Sequence, residues 1–230
     1  MDIFTGAGAA EALEILKTEI PLATWETLYV TIIATLFSFV IGLPLGVLLV
    51  TGEKNGIHPI NRGVLHFINT LINLLRSIPF LILMILVFPL TRLIVGTAVG
   101  TVATIVPLVI AAFPFVARLA ESSFREIDQG TLEAAVSMGA SPIQIVTKVM
   151  IPESIPSLIS NGTIALTTIL GYSAMSGIIG GGGLGKIAIN YGYYRYQYIV
   201  MTIAVLLLIL LVQIFQTIGT KLSISTDKRL

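Results

Sequence analysis

The sequence has no cysteine, one tryptophan and two histidines, and only 11% of its 230 residues are charged. Each shortage excludes something. Without cysteine there is neither a disulfide framework nor a thiolate metal site. His58 and His66 sit in or beside a polar loop with no matching carboxylate cluster, so they read as solvent or interface residues rather than metal ligands. Soluble domains carry roughly 25% charged residues, and this chain has less than half of that. Its basic residues are few and scattered, and the formal net charge of +1 gives no footprint for nucleic acid.

What is abundant is apolar surface. Hydrophobic residues make up 55% of the chain and the mean hydropathy is +0.97. Lipid is the environment that such a surface requires, and the length fits one bundle of membrane helices over residues 1–230. The N-terminus lacks the basic region of a signal peptide. Asp2, Glu11, Glu14, Glu19 and Glu26 face a single Lys17 there, so the first apolar run is expected to stay as a membrane helix.

A helix needs about 20 mostly apolar residues to cross a bilayer core. Runs poor in charge predict five spans, at about 28–50, 66–91, 97–117, 157–179 and 196–219. The second is read as one long or kinked helix, with Arg76 near its cytoplasmic side. The runs are continuous rather than alternating, which excludes a β-barrel. The fold class expected is therefore an all-α polytopic membrane protein.

Arginine and lysine orient the spans. With the N-terminus outside, the inner segments 51–65, 118–156 and 220–230 hold Lys54, Arg62, Arg118, Arg125, Lys148, Lys221, Lys228 and Arg229, or nine basic residues with Arg76. The outer segments hold Lys17, Arg92, Lys186 and Arg195. The chain thus reads as N-out and C-in, and the long polar segment 118–156 faces the cytoplasm.

That segment predicts a helical hairpin. Thr131 can cap a first helix, and Gly139 stands where a left-handed glycine would end it. Ser141, Pro142 and Gln144 form the pattern of a capping box for a second helix, which Pro152 and Pro156 are expected to stop. Ala134, Ala135, Gly139 and Ala140 would let another backbone approach, with Val136, Met138, Ile143 and Ile145 packing across the contact. Local physics leaves two readings open: a partner's docking element, or a solvated loop under the bundle.

Glu133-Ala134-Ala135, then Gly139, then Val149-Met150-Ile151-Pro152 resembles the EAA motif of ATP-binding-cassette importer permeases, with Val149 and Ile151 as mild departures. In that family the segment is the coupling helix seated in a groove of the ATPase subunit. The resemblance implies coupling roles for Glu133, Ala134, Ala135, Met138, Gly139, Ala140, Pro142 and Pro152. Arg76-Ser77-Ile78-Pro79-Phe80, residues 91–97, Gly171-Tyr172-Ser173-Ala174-Met175 and the glycine run 180–185 are similar to the methionine importer permeases. This implies a type I importer permease of the bacterial inner membrane. It would be a homodimer with two ATPase subunits and an external binding lipoprotein that delivers methionine. It would not itself be an enzyme and would need no cofactor. Another amino acid or small solute remains open as substrate. A secondary transporter would need paired acidic residues in the spans and inverted repeats, and an intramembrane enzyme would need a nucleophile with a base; neither set is visible.

Two further patterns have competing readings. Gly180, Gly185 and Lys186 imitate a P-loop, and Gly180, Gly182 and Gly185 imitate a dinucleotide fingerprint. Both need a preceding β-strand, and Ile187 stands where Ser or Thr should hold magnesium. A flexible turn or a close helix approach is the expectation instead. Asn161, Thr168, Tyr172, Met175 and Ser176 form a polar stripe along the fourth span, suited either to helix packing or to lining a pathway, with Met175 as a candidate gate. Arg76 either snorkels to the interface or has a structural or pathway partner. Gly42-x-x-x-Gly46 and Gly96-x-x-x-Gly100 would permit close helix crossing, and Pro44, Pro79, Pro89, Pro107 and Pro114 would kink spans.

Overall fold

The computed structural model describes residues 13–227. Asp2, Glu11, Lys228 and Arg229, which enter the charge count, lie outside the described residues. In chain order the helices are α1 (Ile20–Thr51), α2 (Arg62–Ser77), α3 (Phe80–Leu86), α4 (Phe88–Val95), α5 (Ile105–Arg125), α6 (Gln129–Ser137) and α7 (Pro142–Ile145). A π-helical turn, Val146–Met150, leads into α8 (Ile151–Ser176). A 3₁₀ turn (Gly177–Ile179), α9 (Gly183–Ile187), a second π-helical turn (Ala188–Tyr193) and α10 (Tyr198–Thr226) complete the order. No strand occurs among the described residues.

Among the described residues, four helical stretches are long and apolar enough to cross a membrane: α1, α5, the continuous run Pro142–Ile179, and α10; α2 with α3 makes a fifth if taken as one broken span. The expected first and fourth spans fall inside α1 and α8 with its 3₁₀ turn, and the fifth falls in α10 except for its first two residues. The second differs. Ile78 is extended (φ −83°, ψ 127°) between α2 and α3, because the ring of Pro79 disfavours helical geometry in the residue before it. The long or kinked helix expected over 66–91 is therefore a broken one, bent by 109° between α2 and α3. The third also differs: residues 97–104 form turns and α5 starts at Ile105. Gly96 and Gly100 have φ of 85° and 109°, and a Cβ on either would meet nothing within 4 Å, so they turn the chain rather than bring helices together.

Pro152 and Pro156 do not stop the helix that follows Ser141, which continues through both to Ser176. A proline clashes with the carbonyl one turn earlier and lacks a donor. The wider π-turn at 146–150, immediately before Pro152, loosens that part of the hydrogen-bond ladder. Pro89 and Pro107 fall in the first turns of α4 and α5, where the missing N–H has no helical partner to lose.

The chain divides into two compact units. The first comprises the residues up to Thr35, Pro79–Ile110 and Leu166–Phe215. Its core joins Ile15, Ile20 and Ala23 to Leu184, Ile187, Val200 and Ala204. The second comprises Leu36–Ile78, Ala111–Ala165 and the residues from Gln216 on. There α1 and α5 cross closely at Gly42 and Gly46, as the glycine spacing predicts. A Cβ at Gly42 would lie 2.8 Å from the carbonyl oxygen of Phe113, and one at Gly46 2.6 Å from Cβ of Ala120. Lipid supplies no hydrophobic drive between helices, so close packing of this kind and polar contacts hold them.

Candidate functional site

The hairpin lies in the second unit and is built by local hydrogen bonds. Asp128, not Thr131, caps α6: its carboxylate accepts from the Thr131 N–H at 3.2 Å. Thr131 is thus the third residue of the helix, and the residue three positions earlier is the one that can reach its orphan amide. At the other end Gly139 has φ 76°. Its N–H donates to Val136 O (2.9 Å) and the Ala140 N–H donates to Ala135 O (3.2 Å). Those two bonds are the Schellman pair that closes a helix on a left-handed residue. Ser141 and Gln144 then form the expected capping box, with the Ser141 N–H donating to Gln144 Oε1 at 2.8 Å and the Gln144 N–H to Ser141 Oγ at 3.4 Å.

The hairpin is also held from beneath. Ala135, Ile145 and Met150 are buried in one core with Ala120, Phe124 and Ile127. Ala135 and Ile145 therefore face their own protein rather than a partner, contrary to the sequence reading. The outward side keeps Val136 (54% exposed), Met138 (81%) and Ile143 (76%). Glu133, Ala134, Gly139, Pro142 and Pro152 are exposed and Ala140 is half-buried. A rigid, doubly capped element thus presents three uncovered apolar side chains.

Sequence reasoning missed a charged ladder on α5. Arg118 Nη1 donates to Glu121 Oε2 (2.6 Å), while Nη2 donates to Asn69 Oδ1 (2.8 Å) and Asn73 Oδ1 (3.0 Å) of α2. Arg125 donates to Glu121 Oε1 through Nε (3.1 Å) and Nη2 (2.8 Å), and to Glu53 Oε1 at 2.6 Å. The spacing 118, 121, 125 places all three on one helix face and was the available clue. Arg76 is exposed in the last turn of α2, where a cation suits the helix terminus.

All five residues of the polar stripe lie on α8, with Asn161 in the second unit and the other four in the first. Asn161 Nδ2 donates to Ser123 Oγ (2.8 Å) and Leu119 O (3.3 Å) of α5. Ser157 Oγ donates to the same Ser123 hydroxyl at 3.0 Å, and Ser154 Oγ to the Ser123 carbonyl at 3.3 Å. This is a polar seam between two helices. Beside it a cavity of about 380 Å³ is lined by serines with Glu126, Glu153 and Asp227. Ser176 is buried and donates to Ser173 O (2.6 Å). Tyr172 stacks on Phe80 with ring centroids 4.7 Å apart, joining two of the motifs noted above. Thr168 is half-buried, and Met175 is 43% exposed.

The glycine run is a seat for the protein's own side chains. The Gly183 N–H donates to Glu26 Oε2 (2.8 Å), the Thr101 hydroxyl donates to Glu26 Oε1 (2.9 Å), and the Leu184 N–H donates to Thr27 Oγ1 (2.9 Å). Amides that a phosphate would need are already occupied. A Cβ at Gly177 would lie 2.6 Å from the backbone carbon of Gly185, so the run serves close approach rather than flexibility. The element before it is a helix, not a strand. Among the described residues no group of three or more His, Asp or Glu converges on a metal position.

Several long apolar helices, with a capped polar hairpin between two of them, define a polytopic helical membrane protein. The profile of the family of binding-protein-dependent transport system inner membrane components matches residues 42–221, and the chain belongs to that family. The probable D-methionine transport system permease protein MetI of Vibrio cholerae serotype O1 is 50% identical over 210 residues, 90% of this chain and 92% of that protein. The D-methionine transport system permease protein MetI of Escherichia coli K12 is 48% identical over 153 residues, 66% of this chain and 70% of that one. A solved structure of the MetNI methionine ABC transporter in an inward-facing conformation superimposes with a TM-score of 0.91 at 43% identity, covering 94% of this chain and 99% of that one. An amino acid ABC transporter solved with histidines shares the fold at 21% identity and a TM-score of 0.69.

Proposed function

We propose that this chain is the permease subunit of an ATP-driven importer for methionine, as the D or L form or both. It works in the bacterial inner membrane as a homodimer, with two separate ATPase subunits and an external binding protein. The observation that carries the reading is the hairpin: caps at both of its helices fix its shape, its own core fixes its base, and Val136, Met138 and Ile143 are left for a partner's groove. Glu133, Ala134, Gly139, Ala140, Pro142 and Pro152 complete that docking surface, and Ala135 serves it from inside.

The rest follows from the family to which the chain belongs. Hydrolysis belongs to the ATPase subunits, and this chain contributes positioning and movement. ATP binding draws the ATPase subunits together, the hairpins follow, and the spans open outward to receive solute; hydrolysis resets them. The excess of basic residues in the hairpin-side segments supports an external N-terminus and a cytoplasmic C-terminus. α1, α5, α8 and α10 each contribute residues to both units, which supports one permease domain. On α8, Asn161 and Ser176 serve packing, whereas Thr168, Tyr172 and Met175 are the pathway candidates.

Reconstitution in liposomes with the ATPase and binding protein tests this, using a panel of amino acids. ATP-dependent accumulation of methionine is expected. Accumulation of other amino acids alone would overturn the substrate, and uptake without any ATPase would favour a secondary transporter.

A further inference from the structure

Docking alone does not move a span, so the hairpin's displacement needs a mechanical route into the membrane helices. α5 offers one. Ala120 and Phe124 of α5, with Ile127 just beyond its end, are in the hairpin's core with Ala135, Ile145 and Met150. The stripe one residue round, Arg118, Glu121 and Arg125, holds α2 and the turn after α1. We propose that Arg118 is the positioning residue that carries the hairpin's movement from α5 into α2. The proposal rests on the hairpin being the ATPase docking element.

The geometry suits that task. Asn69 and Asn73 are one turn apart on α2, and both present Oδ1 to the same guanidinium nitrogen at 2.8 and 3.0 Å. Asn69 Nδ2 donates to Leu65 O of its own helix (3.1 Å), which fixes the amide with its oxygen toward Arg118. The guanidinium in turn is fixed by Glu121, whose side chain is only 12% exposed and whose other oxygen holds Arg125. A planar fork that spans acceptors on two helices resists both sliding and separation, whereas a lysine offers a compact point charge on a flexible stem with no fixed fork. α2 leads through Ile78 and Pro79 directly into α3, whose Phe80 stacks on the pathway candidate Tyr172.

The test uses the assembled complex of permease and ATPase in liposomes, with binding protein. Two variants are compared with wild type: Arg118→Lys, and the pair Asn69→Ala with Asn73→Ala, which removes the acceptors from the half-buried and exposed face of α2. Measured are ATP hydrolysis, solute accumulated per ATP, and Tm. Hydrolysis should stay within about twofold while accumulation per ATP falls about tenfold, the size of coupling that a few charge-assisted hydrogen bonds carry. Asn69→Asp combined with Arg118→Lys should recover part of the loss. Unchanged accumulation per ATP overturns the proposal. So does a parallel fall of hydrolysis, accumulation and Tm, which would make the ladder a fastening only. Failure of the docking reading looks different: a permease carrying Met138→Asp and Ile143→Asp would still retain its ATPase.

Discussion

Glu26 and Arg118 put ionisable groups on long apolar helices, and each is met by groups remote in sequence. Glu26 lies 157 positions from Gly183 and Arg118 lies 49 from Asn69. A charge left unpaired in such a helix costs a few kcal/mol, so these pairings hold the helices in register. Neither partner was legible, because nothing local in the sequence marks a contact over that separation. The glycine run was legible as a close-approach element, but its occupant was not. Met175 is exposed, three residues after the stacked Tyr172 on α8, and its unbranched side chain can close a gap without rigid geometry. Met175→Ala should raise resting leak of methionine from loaded proteoliposomes several-fold, with Tm little changed. Leak equal to wild type would remove Met175 as a gate.

Elements whose shape is set by neighbours in sequence were read well from sequence alone. The capping box at Ser141 and the left-handed glycine at 139 stand as expected, because each depends on residues within a turn. The start of the hairpin was misplaced by three residues, since Asp128 and Thr131 can both cap and the acid reaches the amide. The break in the second span and the late start of the third have a backbone reason. Apolar composition persists across Ile78-Pro79 and across 97–104, while proline and two left-handed glycines break the helix there. At Gly139 the φ of 76° costs a β-branched residue about 1–2 kcal/mol or more. Gly139→Val should therefore lower ATP-dependent uptake about tenfold while the permease still inserts, whereas Gly139→Asn, which tolerates this conformation, should retain most of it. Equal uptake by the valine and asparagine variants would show that the hinge geometry is dispensable.

At the scale of the whole molecule, the exposed surface explains the assembly. The most apolar stretch of α10 is only 11% buried within the chain, against 44% for α5. A helix so uncovered needs lipid or a second subunit, which agrees with a homodimer in a membrane. The hairpin is uncovered in another way. Its apolar tip rises from a polar, capped frame, and that combination fits a soluble partner with a groove.

The most direct measurement is co-purification of the ATPase with a permease that carries Met138→Asp and Ile143→Asp together. Both side chains are exposed, so insertion and Tm should match wild type. An uncompensated charge buried in a contact costs about 3–5 kcal/mol, so affinity should fall by more than about a hundredfold and no ATPase should be retained. Retention of the ATPase at wild-type stoichiometry would contradict the assignment of this hairpin as its docking site.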